Sequence, residues 1–380
     1  MTSGPCPAWL VLATAPPGAL DGVGDYAFNL AAALASRGGS ALIVGSRRPL
    51  GNTPDPNTDS AVVRADVSSF WRLWGLRRDP RLARGGTCIV QYVPQSFLRA
   101  DVGSLFAWLV WRRLRGHRVI VTAHEWNIAW RPTLRRTAGR VAFRGMLMGL
   151  GLVATHVVTP QERYRREIAS CLFWKRRNRI AVIPVGSNVP VATPGRRESA
   201  RPRLAMFGRA AGLDEQLLRA LGAWLAEPSR NVSLRWIGRS REEILHLWSD
   251  RCGLASGLIE IHEAAPAASA ARLLAECDAF LAPLDDGVST RSGTVVAALA
   301  QGLPVIGTDG LSTSDDLRQS GAFALAPSGN PLAFIAILDE VLGDDGRRRA
   351  MSAAAREAYE TRFSWAGIAS AYERLAGAAG

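Results

Sequence analysis

Asp285-Asp286-Gly287-Val288-Ser289-Thr290-Arg291-Ser292-Gly293-Thr294-Val295-Val296-Ala297-Ala298-Leu299-Ala300-Gln301-Gly302-Leu303-Pro304-Val305-Ile306 predicts one unit of a parallel α/β sheet. The apolar run Ala279 to Pro283 precedes it and is typical of a buried strand. Thr294 to Gln301 has no helix breaker and is rich in Ala and Leu, which predicts a helix. Gly302 then falls just past the helix end, where a left-handed residue is favoured. A second strand is predicted over Pro304 to Thr308.

The loop of this unit has the chemistry of a phosphate site. Its small polar residues are Ser289, Thr290, Ser292, Gly293 and Thr294. They place hydroxyl groups and unhindered amides at a helix N-terminus, which attracts anions through its free N–H groups and its dipole. Arg291 adds a planar guanidinium suited to phosphate. The alternative is a capped helix with a surface arginine, and the rest of the chain favours the phosphate site.

Bulk composition fits a two-domain globular protein with an acidic partner. The 380 residues are 48% hydrophobic, enough for two ordinary cores. The net charge of +13 points to nucleic acid, an anionic membrane surface or a phosphorylated substrate. The five cysteines are scattered without a close pair, so neither a disulfide framework nor a zinc site is predicted. We therefore expect a reducing, cytoplasmic compartment.

Two apolar segments could be mistaken for membrane or export signals. Ala8 to Ala15 has no basic residue before it and Pro16-Pro17 after it, so it is predicted to be a strand rather than a signal peptide. Val141 to Val158 is interrupted by Arg144 and several glycines. It predicts a buried helix followed by a strand, not a membrane span.

A second strand–loop–helix–strand unit opens the chain. Ala8 to Thr14 predicts a strand, Pro16 to Asp25 a glycine-bearing loop, Tyr26 to Ser36 a helix and Ala41 to Val44 the next strand. Such units form parallel sheets with right-handed crossovers. The loop lacks the GxGxxG dinucleotide fingerprint and is by itself a weak nucleotide signal.

The alternation of strands and helices runs through the chain twice. We predict an α/β protein with two doubly wound, Rossmann-like domains that face a cleft and bind ligands at the carboxyl ends of their strands. The predicted division is 1–190 for the N-terminal domain, on the acceptor side, 191–202 for a Pro-, Gly-, Arg- and Ser-rich linker, and 203–360 for the C-terminal domain, on the donor side. Residues 361–380 are predicted to form a terminal helix that packs back toward the N-terminal domain. One helix is predicted over Arg241 to Asp250.

Basic and aromatic residues cluster between Trp126 and Arg144. Trp126 and Trp130 precede a run with arginines at 131, 135, 136, 140 and 144. This composition favours a surface that lies on anionic lipid headgroups. The alternative is an ordinary solvated helix face.

Six motifs occur in order along the chain. They are Gly22-Val23-Gly24-Asp25-Tyr26, Thr122-Ala123-His124-Glu125, Ile183 to Pro190, Phe207-Gly208-Arg209, Ala300 to Thr308, and Phe363-Ser364-Trp365 before a terminal helix. Together they resemble the GT-B glycosyltransferases of family 4, in the branch that serves bacterial surface polysaccharides. The resemblance covers nearly the whole chain. It implies a nucleotide-diphosphate sugar as donor, retention at the anomeric carbon, no obligatory metal and no cofactor beyond that co-substrate.

The resemblance also assigns site residues. Those expected to bind the donor are Gly22, Gly24, Gly208, Arg209, Ser289, Arg291, Ser292, Gly293 and Thr294. Arg209 and Arg291 would stabilise the departing diphosphate without a cation, and His124 would contact the transferred sugar; these three form the catalytic set. Asp25 and Glu125 are the acceptor candidates. The alternative for His124 is a packed, hydrogen-bonded core histidine.

Two departures from the family pattern concern charge. Most members carry two glutamates that align with Ser289 and Ala297 here, and the lysine that follows the Gly-Arg pair has no counterpart in Ala210-Ala211-Gly212. Arg291 is expected to take over phosphate neutralisation, and Asp285 or Asp286 to replace one carboxylate.

The predicted function is sugar transfer from a nucleotide donor to a saccharide acceptor, lipid-linked at the cytoplasmic face of the plasma membrane, with the enzyme peripheral on that face. A degenerate member that binds nucleotide or a partner without turnover is the alternative. A nucleic-acid-binding protein is not favoured, because the sequence has no recognition-helix, zinc or RNA-binding signature. An epimerase of the same fold would need acid/base carboxylates that the sequence does not place.

Overall fold

A computed structural model describes residues 8–13, 22–45, 62–66, 70–78, 86–93, 102–125, 134–193, 201–209, 211–238, 240–252, 259–263 and 265–377. Contacts divide the chain into two units. The first unit is Met1–Pro184 with Trp365–Gly380, and the second is Val185–Ser364. The domain bounds predicted from the sequence remain predictions.

The first unit is built on a parallel sheet of seven strands in the order β3-β2-β1-β4-β5-β6-β7. The strands are β1 (Ala8–Ala13), β2 (Ser40–Gly45), β3 (Val62–Asp66), β4 (Thr87–Tyr92), β5 (Arg118–Ala123), β6 (His156–Thr159) and β7 (Ile180–Val182). This is the strand order of a Rossmann sheet. Strands β2 and β3 are added on one side of β1, and the chain then crosses to the other side of β1, where β4 to β7 follow.

Helices cover both faces of this sheet. They are α1 (Gly22–Ser36), α2 (Val102–Leu114), α3 (Leu134–Val153), α4 (Glu162–Cys171) and, from the chain end, α12 (Trp365–Gly377), with 3-10 turns at Phe70–Arg78 and Arg177–Arg179. Helices α2, α3 and α4 bury Trp108, Leu147 and Ile168 in one apolar cluster with strand residues. On the opposite face, α1 packs against α12.

The second unit repeats this plan with six parallel strands in the order β10-β9-β8-β11-β12-β13. The strands are β8 (Arg203–Phe207), β9 (Ser233–Gly238), β10 (Ile259–Glu263), β11 (Ala279–Ala282), β12 (Val305–Asp309) and β13 (Phe323–Pro327). The helices are α5 (Glu215–Ala226), α6 (Arg241–His246), α7 (Ala267–Ala275), α8 (Gly293–Ala300), α9 (Asp315–Arg318), α10 (Pro331–Gly343) and α11 (Asp345–Ala358), with π-helical turns at Leu247–Arg251 and Tyr359–Phe363.

The predicted fold class, two doubly wound Rossmann-like units, is confirmed by these sheets. The predicted strand–loop–helix–strand unit at 279–308 is present, and Gly302 follows α8 in the left-handed conformation with φ of 70°.

Two predicted boundaries are wrong. Helix α1 begins at Gly22, so Gly22 and Gly24 lie in its first turn and not in a loop. First-turn amides need no helical partner, and Asp25 there complements the helix dipole. The single helix expected over 241–250 is two: α6 ends at His246 and a π-helical turn follows. That turn buries Trp248 in the core.

Part of the predicted basic surface lies outside the described residues. Residues 126–133 are not described, and the side chains of α3 are described from Val141 onward. In the described part of the chain, no helix combines the length and apolar character needed to cross a membrane. Four of the five cysteines, Cys88, Cys171, Cys252 and Cys277, are free thiols; Cys6 is outside the described residues.

Candidate functional site

A close approach of backbone to side chain shapes the loop after β8. Gly208 has φ of 106°, and a Cβ there would lie 2.8 Å from Thr294 Cγ2 at the start of α8. The Gly208 amide donates to the Ile237 carbonyl at 2.9 Å. Its own carbonyl accepts from Trp236 Nε1 at 3.1 Å. Only glycine allows β8 to end this close to α8.

The loop between β11 and α8 is fastened to the strand beside it. Gly287 has φ of 84°, and a Cβ there would overlap the Gly310 amide after β12. The Val288 amide donates to the Thr308 carbonyl, and the Ser312 amide donates to the Asp286 carbonyl, both at 2.9 Å. These contacts hold the polar loop at the carboxyl end of the sheet.

The N-terminus of α8 has open amides. The Ser292 side chain caps the helix by accepting from the Val295 amide, and its Oγ lies 3.1 Å from Thr294 Oγ1. The amides of Gly293 and Thr294 have no acceptor among the residues that the structure describes. One cap cannot satisfy all first-turn amides, so two donors are left for a ligand.

A cavity of about 210 Å³ lies between these two loops. Its lining is Met206, Phe207, Arg209, Ala211, Leu213, Trp236, Phe280, Leu281, Ala282, Leu284, Ser292 and Thr294. The cavity therefore brings together Arg209, Ser292 and Thr294 over an apolar floor. It stands where the strand order reverses, between β8 and β11, which is the usual ligand position in such sheets.

The other predicted donor residues of this unit surround the cavity without lining it. Arg291 is exposed on the same loop. Ser289 is buried, and its carbonyl accepts from the Ser292 amide at 3.1 Å. Gly208 and Gly293 contribute backbone at the ends of β8 and α8. Their roles toward a donor stay predictions.

Carboxylates stand at the edge of this region. Partial desolvation, followed by the charges of Asp214, Asp286 and Glu215, raises the pKa of Asp285. The Asp214 carboxylate already caps α5 by accepting from the amides of Gln216 and Leu217. Asp285 and Asp286 are exposed and remain the candidates to replace a family glutamate. Ala297 is fully buried in the apolar core, where a glutamate would lose its hydration.

His124 lies at the carboxyl end of β5 in the first unit and is 9% exposed. Its Nε2 lies 2.6 Å from Gln91 Oε1, which requires the tautomer with a proton on Nε2. Tyr26 meets the imidazole edge-to-face at 4.7 Å. Burial lowers the pKa of His124 to about 4, so the ring is neutral at pH 7.

Three hydroxyl groups form a hydrogen-bonded cluster that includes Tyr26, the residue that packs on His124. The Tyr372 hydroxyl lies 2.7 Å from Thr122 Oγ1 and 3.4 Å from the Tyr26 hydroxyl. Trp365 packs edge-to-face on Tyr26 at 5.1 Å. Helix α12 thus supplies two aromatic residues to the surroundings of His124, contacts that the sequence did not reveal.

The remaining predicted residues also lie in the first unit. Gly22 is exposed, Gly24 is buried and Asp25 is half-buried, all in the first turn of α1. Glu125 is half-buried directly after His124. These positions are compatible with acceptor or sugar contacts, and those roles stay predictions.

Comparison with known proteins supplies a family model that matches part of the chain, and a fold. The model of the family Glycosyl transferases group 1 matches residues 201–344. That segment contains β8 to β13 and the whole cavity. No curated protein matches the sequence.

Solved structures match over nearly the full chain. A glycosyltransferase from Rickettsia africae is 13% identical, with a TM-score of 0.71 and 98% of both chains covered. Sucrose-phosphate synthase from Thermosynechococcus elongatus is 15% identical, with a TM-score of 0.69 and coverage of 98% of this chain and 100% of that one. HepE from Anabaena in complex with UDP and glucose is 13% identical, with a TM-score of 0.69 and coverage of 98% and 99%. The fold of this chain is therefore that of the GT-B glycosyltransferases, and its residues 201–344 match glycosyl transferases group 1.

Proposed function

We propose that this protein is a retaining glycosyltransferase that moves a hexose from a nucleotide-diphosphate sugar to a saccharide acceptor. The observation that carries the proposal is the cavity between β8 and β11. There the guanidinium of Arg209 and the hydroxyl groups of Ser292 and Thr294 line a cavity at a strand-order reversal, next to two amides at the start of α8 that have no acceptor among the described residues.

The chemistry of these groups suits a diphosphate leaving group. Negative charge grows on the diphosphate as the bond to the anomeric carbon breaks, and donors fixed in place beforehand stabilise that charge most strongly. Arg209 offers a planar guanidinium, and the N-terminus of α8 adds the amides of Gly293 and Thr294 and its dipole. Since these groups supply the positive field, we propose that the reaction needs no metal and no further cofactor.

The apolar floor of the cavity is suited to the nucleoside rather than the phosphates. Phe207 and Leu284, both half-buried, line it, and flat apolar surfaces bind bases and sugars by stacking and burial. HepE, which has the same fold, was solved with UDP and glucose, and this supports a nucleoside diphosphate as the ligand.

For the acceptor, we propose a lipid-linked saccharide of a surface polysaccharide pathway, reached from the cytoplasmic side of the membrane. In this proposal His124 contacts the transferred sugar as a neutral imidazole, and Asp25 or Glu125 orients the acceptor. The high positive charge of the chain supports an anionic membrane surface as the place of reaction.

The test is a donor screen with the full chain. Uridine- and guanosine-diphosphate sugars are assayed for thermal stabilisation of the protein and for release of free diphosphate, with and without saccharide acceptors. One donor should stabilise the wild type and be turned over. Arg209→Ala should lower turnover by about 10²-fold, the usual cost of removing one such donor group, and Arg291→Ala should weaken donor binding.

Arg349→Ala is the matched control, because Arg349 is an exposed arginine on α11 of the same unit. It should behave as the wild type. If no donor binds, the proposal is wrong. If a donor binds but no acceptor gives turnover, the protein is a degenerate member that uses the same cavity for binding alone.

A further inference from the structure

The turn after α4 is fixed against the end of α3. Leu172 is buried, and a Cβ at Gly151 would lie 2.7 Å from its Cδ2, so the turn and the helix are in close contact. Lys175 Nζ donates to the Ala154 carbonyl at 2.8 Å. These two contacts place the residues between Leu172 and Lys175 beside the last turn of α3, which also carries Leu152.

The side chains between those anchors turn outward. Phe173 is 80% exposed, Leu152 66% and Trp174 38%. The rings of Phe173 and Trp174 pack edge-to-face with centroids 5.0 Å apart. Adjacent large apolar side chains that stay exposed indicate an interaction surface.

Cations follow the aromatic pair directly. The segment 171–179 contains Lys175, Arg176, Arg177 and Arg179 and no acidic residue. Arg176 and Arg177 are exposed, whereas Arg179 turns toward His156, 3.1 Å from its Nε2. The surface formed by Leu152, Phe173, Trp174, Lys175, Arg176 and Arg177 is called the 152/173–177 patch below.

We propose that the 152/173–177 patch is the surface through which this protein contacts an anionic lipid bilayer. Tryptophan and phenylalanine enter the boundary between headgroups and acyl chains, and neighbouring cations bind the lipid phosphates. The patch lies beside the amino ends of β6 and β7, at the edge of the sheet opposite the carboxyl end that bears His124, so this proposal goes beyond the proposed function. Its location differs from the basic run at 131–144 that the sequence suggested.

Charge favours a bilayer over a second copy of the chain as the occupant. A symmetric dimer through this patch would set Arg176 and Arg177 near their own copies. Such like-charge contacts cost binding free energy, and the chain as a whole carries +13. A bilayer with anionic headgroups complements both the local and the total charge.

The experiment is co-sedimentation of the full-length protein with vesicles. One set is pure phosphatidylcholine, the other contains roughly 30% phosphatidylglycerol, a fraction typical of a strongly anionic leaflet. The wild type should bind the anionic set at low salt and detach as salt rises, because surface charges are screened beyond about 10 Å at 0.1 M.

Two variants divide the patch by chemistry. Arg176→Gln/Arg177→Gln should weaken binding by roughly twenty-five-fold, at about a factor of five per cation, and it leaves the Lys175 anchor in place. Phe173→Ser/Trp174→Ser should weaken it by roughly tenfold, through lost apolar burial. Brominated lipids should also quench part of the tryptophan fluorescence of the wild type, and this quenching should be absent in Trp174→Phe.

Each variant has a matched control in the second unit. Arg241→Gln/Arg272→Gln changes the net charge by the same amount on exposed arginines elsewhere. Leu332→Ser removes an apolar side chain that is 85% exposed on α10. Both controls should bind vesicles as the wild type does, and all variants should keep the donor turnover measured with a soluble acceptor.

The proposal is wrong if the patch variants bind anionic vesicles like the wild type, or if the controls lose binding equally. It is also wrong if the wild type sediments as a dimer without lipid and Phe173→Ser/Trp174→Ser as a monomer, since the patch is then a protein interface. Vesicle binding and donor turnover are separate readouts. A chain that binds vesicles and turns over no donor would refute the proposed function alone.

Discussion

At the scale of single residues, Gly208 is a position where the candidate site is sensitive to an added methyl group. Its φ of 106° is strained for any other residue, and the added Cβ would lie 2.8 Å from Thr294 Cγ2. Gly208→Ala should lower the free energy of unfolding by about 1–3 kcal/mol. It should also weaken donor binding, because α8 must move away from β8. Chemical denaturation and donor titration measure the two effects.

Thr294→Ser separates the two causes. It removes the Cγ2 methyl group but keeps the hydroxyl that lies 3.1 Å from Ser292 Oγ. In the Gly208→Ala/Thr294→Ser double variant the steric part of the loss should be relieved and only the φ strain remain. If the double variant is as weak as the sum of the single ones, the close approach between Gly208 and Thr294 does not matter.

Sequence reasoning reached three residues of the cavity. Ser292 and Thr294 were predicted from small polar residues at a helix N-terminus, and Arg209 from the family resemblance of Phe207-Gly208-Arg209; the cavity brings these three together. It missed Trp236, whose indole donates to the Gly208 carbonyl from 28 positions away. Gln91 left a weak signal, as a polar residue in an otherwise apolar strand.

At the scale of elements, α12 is joined to β5 and α1 by the hydroxyl of Tyr372. Tyr372→Phe should lower the free energy of unfolding by about 1–2 kcal/mol, because the buried Thr122 hydroxyl, 2.7 Å away, loses its partner. Thr122→Val removes the other partner of this hydrogen bond while keeping the shape of the side chain. The double variant completes a thermodynamic cycle, and chemical denaturation of all four proteins measures it.

The cycle has a defined outcome. If Tyr372 and Thr122 interact as described, the double variant should cost clearly less than the sum of the two single variants. Additive losses would mean that α12 is held by apolar packing alone. Burial raises the pKa of Tyr372 to about 12, so its hydroxyl stays protonated throughout the measurement at neutral pH.

Elements were predictable where both faces of a strand are buried. The strands predicted over Ala8 to Thr14 and Pro304 to Thr308 are present as β1 and β12, with ends that differ by one residue at most, since both are interior strands and rich in apolar residues. β3 and β13 were missed, and both are edge strands. An edge needs no continuous apolar run, and β13 ends in Pro327, which is tolerated at an edge but argues against a strand in the sequence. The π-helical turn at Leu247–Arg251 leaves no periodic signal at all.

At the scale of the whole molecule, buried neutral histidines are features of the first unit. Burial lowers the pKa of both His124 and His156 to about 4, and it also lowers the pKa of His117. A histidine in the unfolded chain has a pKa near 6.5, so as the pH falls the unfolded state binds the proton before the folded state does. These histidines therefore make their full contribution to the free energy of unfolding above about pH 6.5, and that contribution is lost between pH 6.5 and 4.

We expect the first unit to lose about 2–4 kcal/mol of unfolding free energy between pH 7 and pH 5 from His124 and His156 together. Hydrogen exchange of peptides from β5 and from β12 at the two pH values measures the units separately. His156→Asn should reduce the pH dependence of the β5 peptides. A loss of equal size in β12, or none in β5, would contradict the expectation.

The division of the chain has a consequence for its synthesis on the ribosome. The first unit needs Trp365–Gly377 to cover α1, yet these residues are translated only after all of Val185–Ser364. Until then Tyr26 lacks Tyr372 and Trp365, and the face of α1 that bears it stays open to water or to chaperones. The amino-terminal unit, translated first, is thus completed last, and a chain that stops before Trp365 leaves it unfinished however well the second unit has folded.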